Sequence, residues 1–299
     1  MTRIGTALPS GDDGVPPRRY ATVVAFENAL RARLTARATG DRMYQDLRKL
    51  LAFDRILARL SYVAPDAWLL KGGVALEYRL NRARTTTDID VSTQVDVDTM
   101  IAALRAAAEA NLNDYFALRL GESIKPFDET AMYRFHVDVL YENGRLFEPL
   151  KIDVGFADPW LGNAQTLTGP SLLDFAGIEP ATVHAISIEQ HLAEKLHAYT
   201  RHYGIHESTR VKDLVDMALL VDVVTGDSDA LAQTLHDVFS ARRTHNVPAS
   251  LPAPPASWRA VYARLAVNLP IPQTSDEAHR YVANALASAI ETATTAYDW

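Results

Sequence analysis

The 299-residue chain contains no cysteine. That excludes a disulfide framework, a cysteine-ligated zinc site, an iron–sulfur cluster and a thiol nucleophile. It has no apolar run near the roughly 20 residues a bilayer span needs. Its first residues, MTRIGTALPSGDDGVPPRRY, hold no apolar stretch of signal-peptide length, so a soluble cytoplasmic protein without a membrane partner is expected. Lysine is scarce, six against twenty-four arginines, so arginine handles most positive surface charge. What is present is an ordinary globular balance, 48% hydrophobic and 22% charged residues, which rules out wholesale disorder.

A net charge of −7 argues against a protein that coats nucleic acid without specificity. The charge is uneven, however. Residues 1–60 carry eleven basic and six acidic side chains, a balance of +5 that leaves −12 on the remainder. Such a section either steers a phosphate-rich partner or is a set of solvated helix faces.

Residues 1–19 read as a flexible tail. Apolar spacing predicts helices over 21–38 and 41–63, with Leu47, Leu50, Leu51 and Leu57 on one stripe. Trp68–Leu70 reads as a short buried strand ending in Lys71-Gly72-Gly73, followed by a helix to about Leu80 and a polar loop over 81–87. Asp88–Ser92 reads as a strand and 96–110 as an Ala-rich helix. Three strand-like runs follow over 115–122, 133–141 and 149–156, the last two joined by Glu142-Asn143-Gly144-Arg145, a hairpin signal. After Pro159 the texture turns helical. Ser187 and Gln190 form a capping-box pattern for a helix to about His202, and further helices fall at 209–224, 229–242, 257–267 and 275–294. The proline-rich 246–255 reads as a linker or surface loop. The organisation expected is a tail (1–19), a helical lead-in with a mixed-sheet core (20–160) and a helical C-terminal part (161–299).

Asp88 and Asp90 are two apart on a strand and share a face, where two carboxylates repel unless a cation lies between them. Magnesium takes hard oxygen ligands and favours carboxylates combined with substrate phosphates. Gly72-Gly73 before a helix lets backbone approach a phosphate at the helix N-terminus. Each feature alone has a plain reading, a turn and a solvated strand edge. Asp153, the one acid in an apolar strand end, is either a third carboxylate beside that metal pair or half of a surface ion pair with Lys151. Lys195, near the apolar seam of its helix, either snorkels to solvent or reaches phosphate oxygens. Asp213 and Asp216 share a face at the start of the next helix, where the dipole alone would favour acids. His191, His197 and His202 lack metal-binding spacing and read as surface or RNA-facing residues.

The pieces Lys-Gly-Gly-x-Ala-Leu, Arg-x-Thr-x-Asp-x-Asp, a Lys-x-Asp strand, Glu-Lys-Leu-His-Ala and Arg-x-Lys-Asp-Leu-x-Asp occur in that order between Leu69 and Val221. Together they resemble the AbiEii/AbiGii nucleotidyltransferase toxins, the group that includes the MenT toxins, within the DNA polymerase β-like nucleotidyltransferases. The resemblance implies an α+β fold: a polymerase β-like mixed sheet with flanking helices, then a mostly helical C-terminal half. It implies a toxin of a bacterial toxin–antitoxin pair, with a transcriptional-regulator antitoxin as partner. It also implies nucleotide transfer from an NTP with magnesium, or manganese in its place, onto the 3′ end of tRNA, which blocks translation. Carried over, Asp88, Asp90 and Asp153 hold the metals, and Asp153 is ligand or base for the attacking hydroxyl. Lys71, Gly72, Gly73, Arg84, Thr86, Lys195, Asp213 and Asp216 surround the nucleotide, with Lys195 on the phosphates and Asp213 completing the pocket. Gly72-Gly73 departs from the Gly-Ser of the wider superfamily, which removes one hydroxyl that could bind phosphate. Two competing readings are transfer to a protein or a small molecule such as an aminoglycoside, and a catalytically silent nucleotide-binding module.

Overall fold

The computed structural model describes residues 18–38, 43–81, 86–124, 132–156, 158–202, 204, 208–224 and 228–296. Helices α1 (Val23–Arg37) and α2 (Tyr44–Val63) lead in. The Thr22 hydroxyl caps α1 by accepting from the Ala25 amide at 3.2 Å. Phe26, Leu30 and Leu34 recur at i, i+4 and i+8, so one stripe of α1 is buried.

Strand β1 (Trp68–Lys71) passes without a loop into α3 (Gly72–Leu80). Then come β2 (Asp88–Thr93), α4 (Val97–Glu109), and the meander β3 (Phe116–Ile124), β4 (Met132–Tyr141) and β5 (Leu146–Gly155). The Asn143-Gly144 turn joins β4 to β5 as expected, with Gly144 at φ +83°. Two short strands, β6 (Gln165–Thr168) and β7 (Thr182–Ala185), follow where the sequence shows only a change of texture. All seven strands form one sheet in the order β3-β4-β5-β2-β1-β7-β6. It is mixed: β2 runs parallel to β5 and β1 parallel to β7, and the other neighbours are antiparallel. Past Ala185 the chain is helical: α5 (Ile188–Thr200), α6 (Val211–Leu220), α7 (Ser228–Arg242), α8 (Arg259–Ala266) and α9 (Ser275–Thr295). Ser187 caps α5, its hydroxyl accepting from the Gln190 amide at 3.1 Å.

Buried apolar side chains form two clusters. The first runs from Phe26 to Ala185 and packs α1, α2 and α4 on the sheet. The second gathers α5 to α9 and takes in Leu76 of α3. Helix α3 thus touches both, and the strand-to-helix turn at Lys71–Gly73 lies at their junction. Residues 246–255 hold no helix or strand, yet Val247 and Leu251 sink into the second cluster. Among the described residues no helix is long and apolar enough to cross a membrane.

Several amino-terminal arginines are spent inside the protein. Arg59 donates to both Asp114 oxygens at 2.7 and 2.8 Å, and Arg55 bonds Asp54 at 2.8 Å, all four residues being buried. Arg48 pairs with Glu148 in a half-buried contact, while Arg37 pairs with Asp174 at the surface. The positive balance of residues 1–60 is therefore in part a set of internal ion pairs.

Candidate active site

Strand register builds the site. Lys71 on β1 lies opposite Asp90 on β2, Asp90 opposite Asp153 on β5, and Asp153 opposite Arg134 on β4. Register partners point to the same side of a sheet. The result is one cross-strand row, Lys71–Asp90–Asp153–Arg134, in which two carboxylates sit between two cations. Asp88, two residues before Asp90, faces the same way. Its carboxylate accepts from the Thr87 hydroxyl at 3.1 Å.

Asp153 is 7% exposed and lies on an interior strand, so it is not an edge residue paired with Lys151. Its partner is Arg134, whose Nε and Nη2 donate to the two Asp153 oxygens at 2.7 Å each. Each oxygen keeps a lone pair. The Arg134 guanidinium is held above its ordinary pKa by that hydrogen-bonded carboxylate, with Asp88 and Asp90 adding to it. The sequence carries a signal for Arg134 that the motif reading passes over. Counting outward from the Asn143-Gly144 turn pairs residue 134 with residue 153.

Asp90 is pushed up to about 6. Burial is the largest cause and the like charges of Asp153 and Asp88 add to it, against the pull of Lys71 and Lys195. A Cβ on Gly72, which sits at φ +66°, would overlap the Asp90 carboxylate. A Cβ on Gly73 would come within 2.6 Å of the Thr86 hydroxyl. Glycine is therefore required at both positions: backbone lies directly on Asp90 and on Thr86, with the first N–H groups of α3 beside them. Arg84 lies outside the described residues.

Lys71 forms an ion pair with Asp158, which also takes Arg242 of α7 at 3.1 Å, and Arg242 reaches Glu194 of α5 at 3.4 Å. Burial would lower the Lys71 ammonium, but Glu194 and Asp158 outweigh it and hold its pKa above the usual value. The segment carrying Asp158 is fixed on β2 and α5. Gln94 donates to the Asp158 carbonyl at 2.9 Å, Trp160 donates to the Ser92 hydroxyl at 3.1 Å, and Gln190 donates to the Pro159 carbonyl at 2.8 Å. Gln190 thus turns outward to that segment instead of completing a capping box.

Lys195 neither snorkels nor stands free. It is 16% exposed and bonds Asp213 at 3.1 Å and Asp216 at 2.8 Å. The two acids of α6 therefore serve as its counter-ions. Asp213 Oδ2 is buried without a hydrogen bond. His191 and His197 are not surface residues: each is 1% exposed. His191 Nδ1 meets Arg79 at 2.8 Å and His197 Nε2 meets the Thr244 hydroxyl at 2.7 Å. Both lie on the apolar seam of α5 beside Leu192 and Leu196, which their polarity conceals in the sequence.

Among the described residues no three His, Cys, Asp or Glu side chains are gathered to enclose a metal by themselves. Two same-face carboxylates, Asp88 and Asp90, are nevertheless a fitting donor set for a hard divalent cation. The raised Asp90 marks a carboxylate whose charge is disfavoured chiefly by burial, and a bound cation would favour that charge. A cavity of about 500 Å³, lined by Arg31, Tyr44, Arg48 and Tyr141 among others, lies at the other end of β5 from Asp153, away from these acids.

The model of the nucleotidyl transferase AbiEii toxin family, type IV toxin–antitoxin system, matches residues 55–288. A search of curated proteins finds no match. Among solved structures, MenT4, the nucleotidyltransferase toxin Rv2826c from Mycobacterium tuberculosis H37Rv, superposes with a TM-score of 0.60 at 15% identity over 88% of each chain. Two Helicobacter pylori structures, a candidate nucleotidyltransferase and JHP933, match at TM-scores of 0.48 and 0.46, both at 15% identity, covering 87% and 84% of this chain and 100% and 94% of theirs. The first of these shows the fold.

Proposed function

The chain belongs to the AbiEii nucleotidyltransferase toxin family of type IV toxin–antitoxin systems, and from that premise we propose that it transfers a nucleotidyl group from an NTP to the 3′ end of tRNA, with magnesium as its metal. The observation that carries the reading is the cross-strand row with the glycine turn lying on it. Asp88 and Asp90 hold the metal, which when bound polarises the attacking and leaving oxygens. Gly72, Gly73 and the first N–H groups of α3 receive the triphosphate. Lys71 borders it, Arg84 and Thr86 flank it, and Lys195 reaches it by exchanging Asp213 and Asp216 for phosphate oxygens. Asp153, oriented by Arg134, is the third carboxylate, as a further ligand or as the group that takes the proton from the 3′-hydroxyl. In the reaction that oxygen bonds to the α-phosphorus, the bond from α-phosphorus to the bridging oxygen breaks, and pyrophosphate leaves. The partner that restrains the toxin is an antitoxin, which we assign to the transcriptional-regulator class.

The test is incubation with labelled NTPs, magnesium and total tRNA. Label at RNA 3′ ends, lost when magnesium is chelated, is the expected result. Label on protein or on a small molecule, or binding of NTP without any transfer, would overturn the acceptor assignment.

A further inference from the structure

Lys151 precedes Asp153 by two residues on β5, so strand alternation puts both on one face of the sheet. Its register neighbours are Asp88 on β2 and His136 on β4. A second row, His136–Lys151–Asp88, therefore runs beside the first at about 6.6 Å, two residues along the strand. This face is open on β4: Arg134 and His136 are exposed, whereas Phe135 and Val137 on the other face are buried.

The cations of the first row and of α5 are all matched, Arg134 by Asp153, Lys71 by Asp158, and Lys195 by Asp213 and Asp216. Lys151 is half-buried and, among the described residues, has no carboxylate at ion-pair distance, although Asp88 is its cross-strand neighbour. Among the described residues no acid neutralises its ammonium.

Two polyanions must approach these acids from different sides. The glycine turn, Lys71 and Lys195 lie toward β1, which is the nucleotide side. Lys151 and His136 lie toward β4. We propose that Lys151 binds a backbone phosphate of the acceptor RNA next to its attacking 3′-hydroxyl. The inference rests on the RNA-acceptor reading above and names the residue that receives that strand. A lysine suits the task, being a compact point charge with three donors, and phosphate contacts set position without reading sequence. The same ammonium would repel a cationic acceptor.

Transfer kinetics of wild type, K151Q and K151R, with tRNA and NTP varied separately, test the assignment. They are joined by tRNA binding without NTP, read by fluorescence anisotropy across a salt series. K151Q is expected to raise both KM and Kd for tRNA about fivefold to tenfold and to flatten the salt dependence by about one counterion, as loss of one phosphate contact does. KM for the NTP should stay within twofold, and K151R should recover most of the loss. Should K151Q fail to fold in a thermal melt, K151M takes its place. If wild type labels RNA and the variant keeps the tRNA KM and salt slope, the Lys151 assignment falls while the acceptor reading stands. If the NTP KM rises instead, Lys151 belongs to the nucleotide side and the proposal is overturned. If wild type neither labels nor binds RNA, both readings fall.

Discussion

Asp90 is costly to the fold it sits in. It is held up to about 6 by burial and by Asp153 and Asp88, so between pH 3.8 and 6 the folded chain takes up a proton that the unfolded chain releases. Ionised at pH 7.5, it lowers stability, and Asp90→Asn should melt at or above the wild-type temperature, by about 1 kcal/mol after solvent screening. The same variant should lose transfer by at least about a hundredfold, and magnesium should raise the melting temperature of wild type only. A melt well below wild type would mean Asp90 is tied into the structure instead of held for a cation. The pair Asp88 and Asp90 was legible because a strand alternates. The partner of Asp153 was harder to see, because it needs the β4–β5 register. That register follows from counting back from the Asn143-Gly144 turn, even though a bulge shifts the pairing near Leu140.

Helix α5 faces two ways: its N-terminal half grips the segment after β5, and Lys195 grips α6. Lys195→Ala leaves Asp213 and Asp216 buried without their cation, so it should cost about 3–5 kcal/mol of stability as well as triphosphate use. A chemical-denaturation midpoint equal to wild type would refute that. His197 on the same helix is pushed down to about 3 by burial, with the positive charges of Arg242, His245 and Arg201 adding to it. Neutral when folded, it leaves the unfolded chain to bind the extra proton below about pH 6.5, so stability falls from there toward pH 3. At pH 5 the loss attributable to His197 is about 2 kcal/mol, and His197→Asn should flatten the melting curve against pH over that window. Long amphipathic helices such as α2 and α9 were readable from period alone, whereas β6 and β7 were not. They are four residues each, with one or two inward apolar side chains, and they form only because β1 offers an open edge.

Across the whole molecule, part of the basic amino-terminal section, Arg55 and Arg59 above all, turns out to be fastened inward. Asp114→Ala would strand Arg59 and half of Arg55 in the core and should remove about 3–5 kcal/mol, seen as an early, cooperative loss of ellipticity. If instead the variant kept its melting temperature and only bound RNA more weakly, the network would be a surface feature. The imbalance of charge was visible in the sequence. Its direction was not, since an arginine is buried or exposed according to an acid some fifty residues away. The same scattering bears on how such a toxin is made. Lys71 is synthesised early, Asp153 well after it, and the α5 and α7 residues that hold Asp158 and Lys71 later still. A chain that ends before α5 carries the glycine turn and all three acids, Asp88, Asp90 and Asp153, but lacks Lys195 and the Arg242 and Glu194 that brace Asp158. Transfer is therefore expected only from chains that extend through α7.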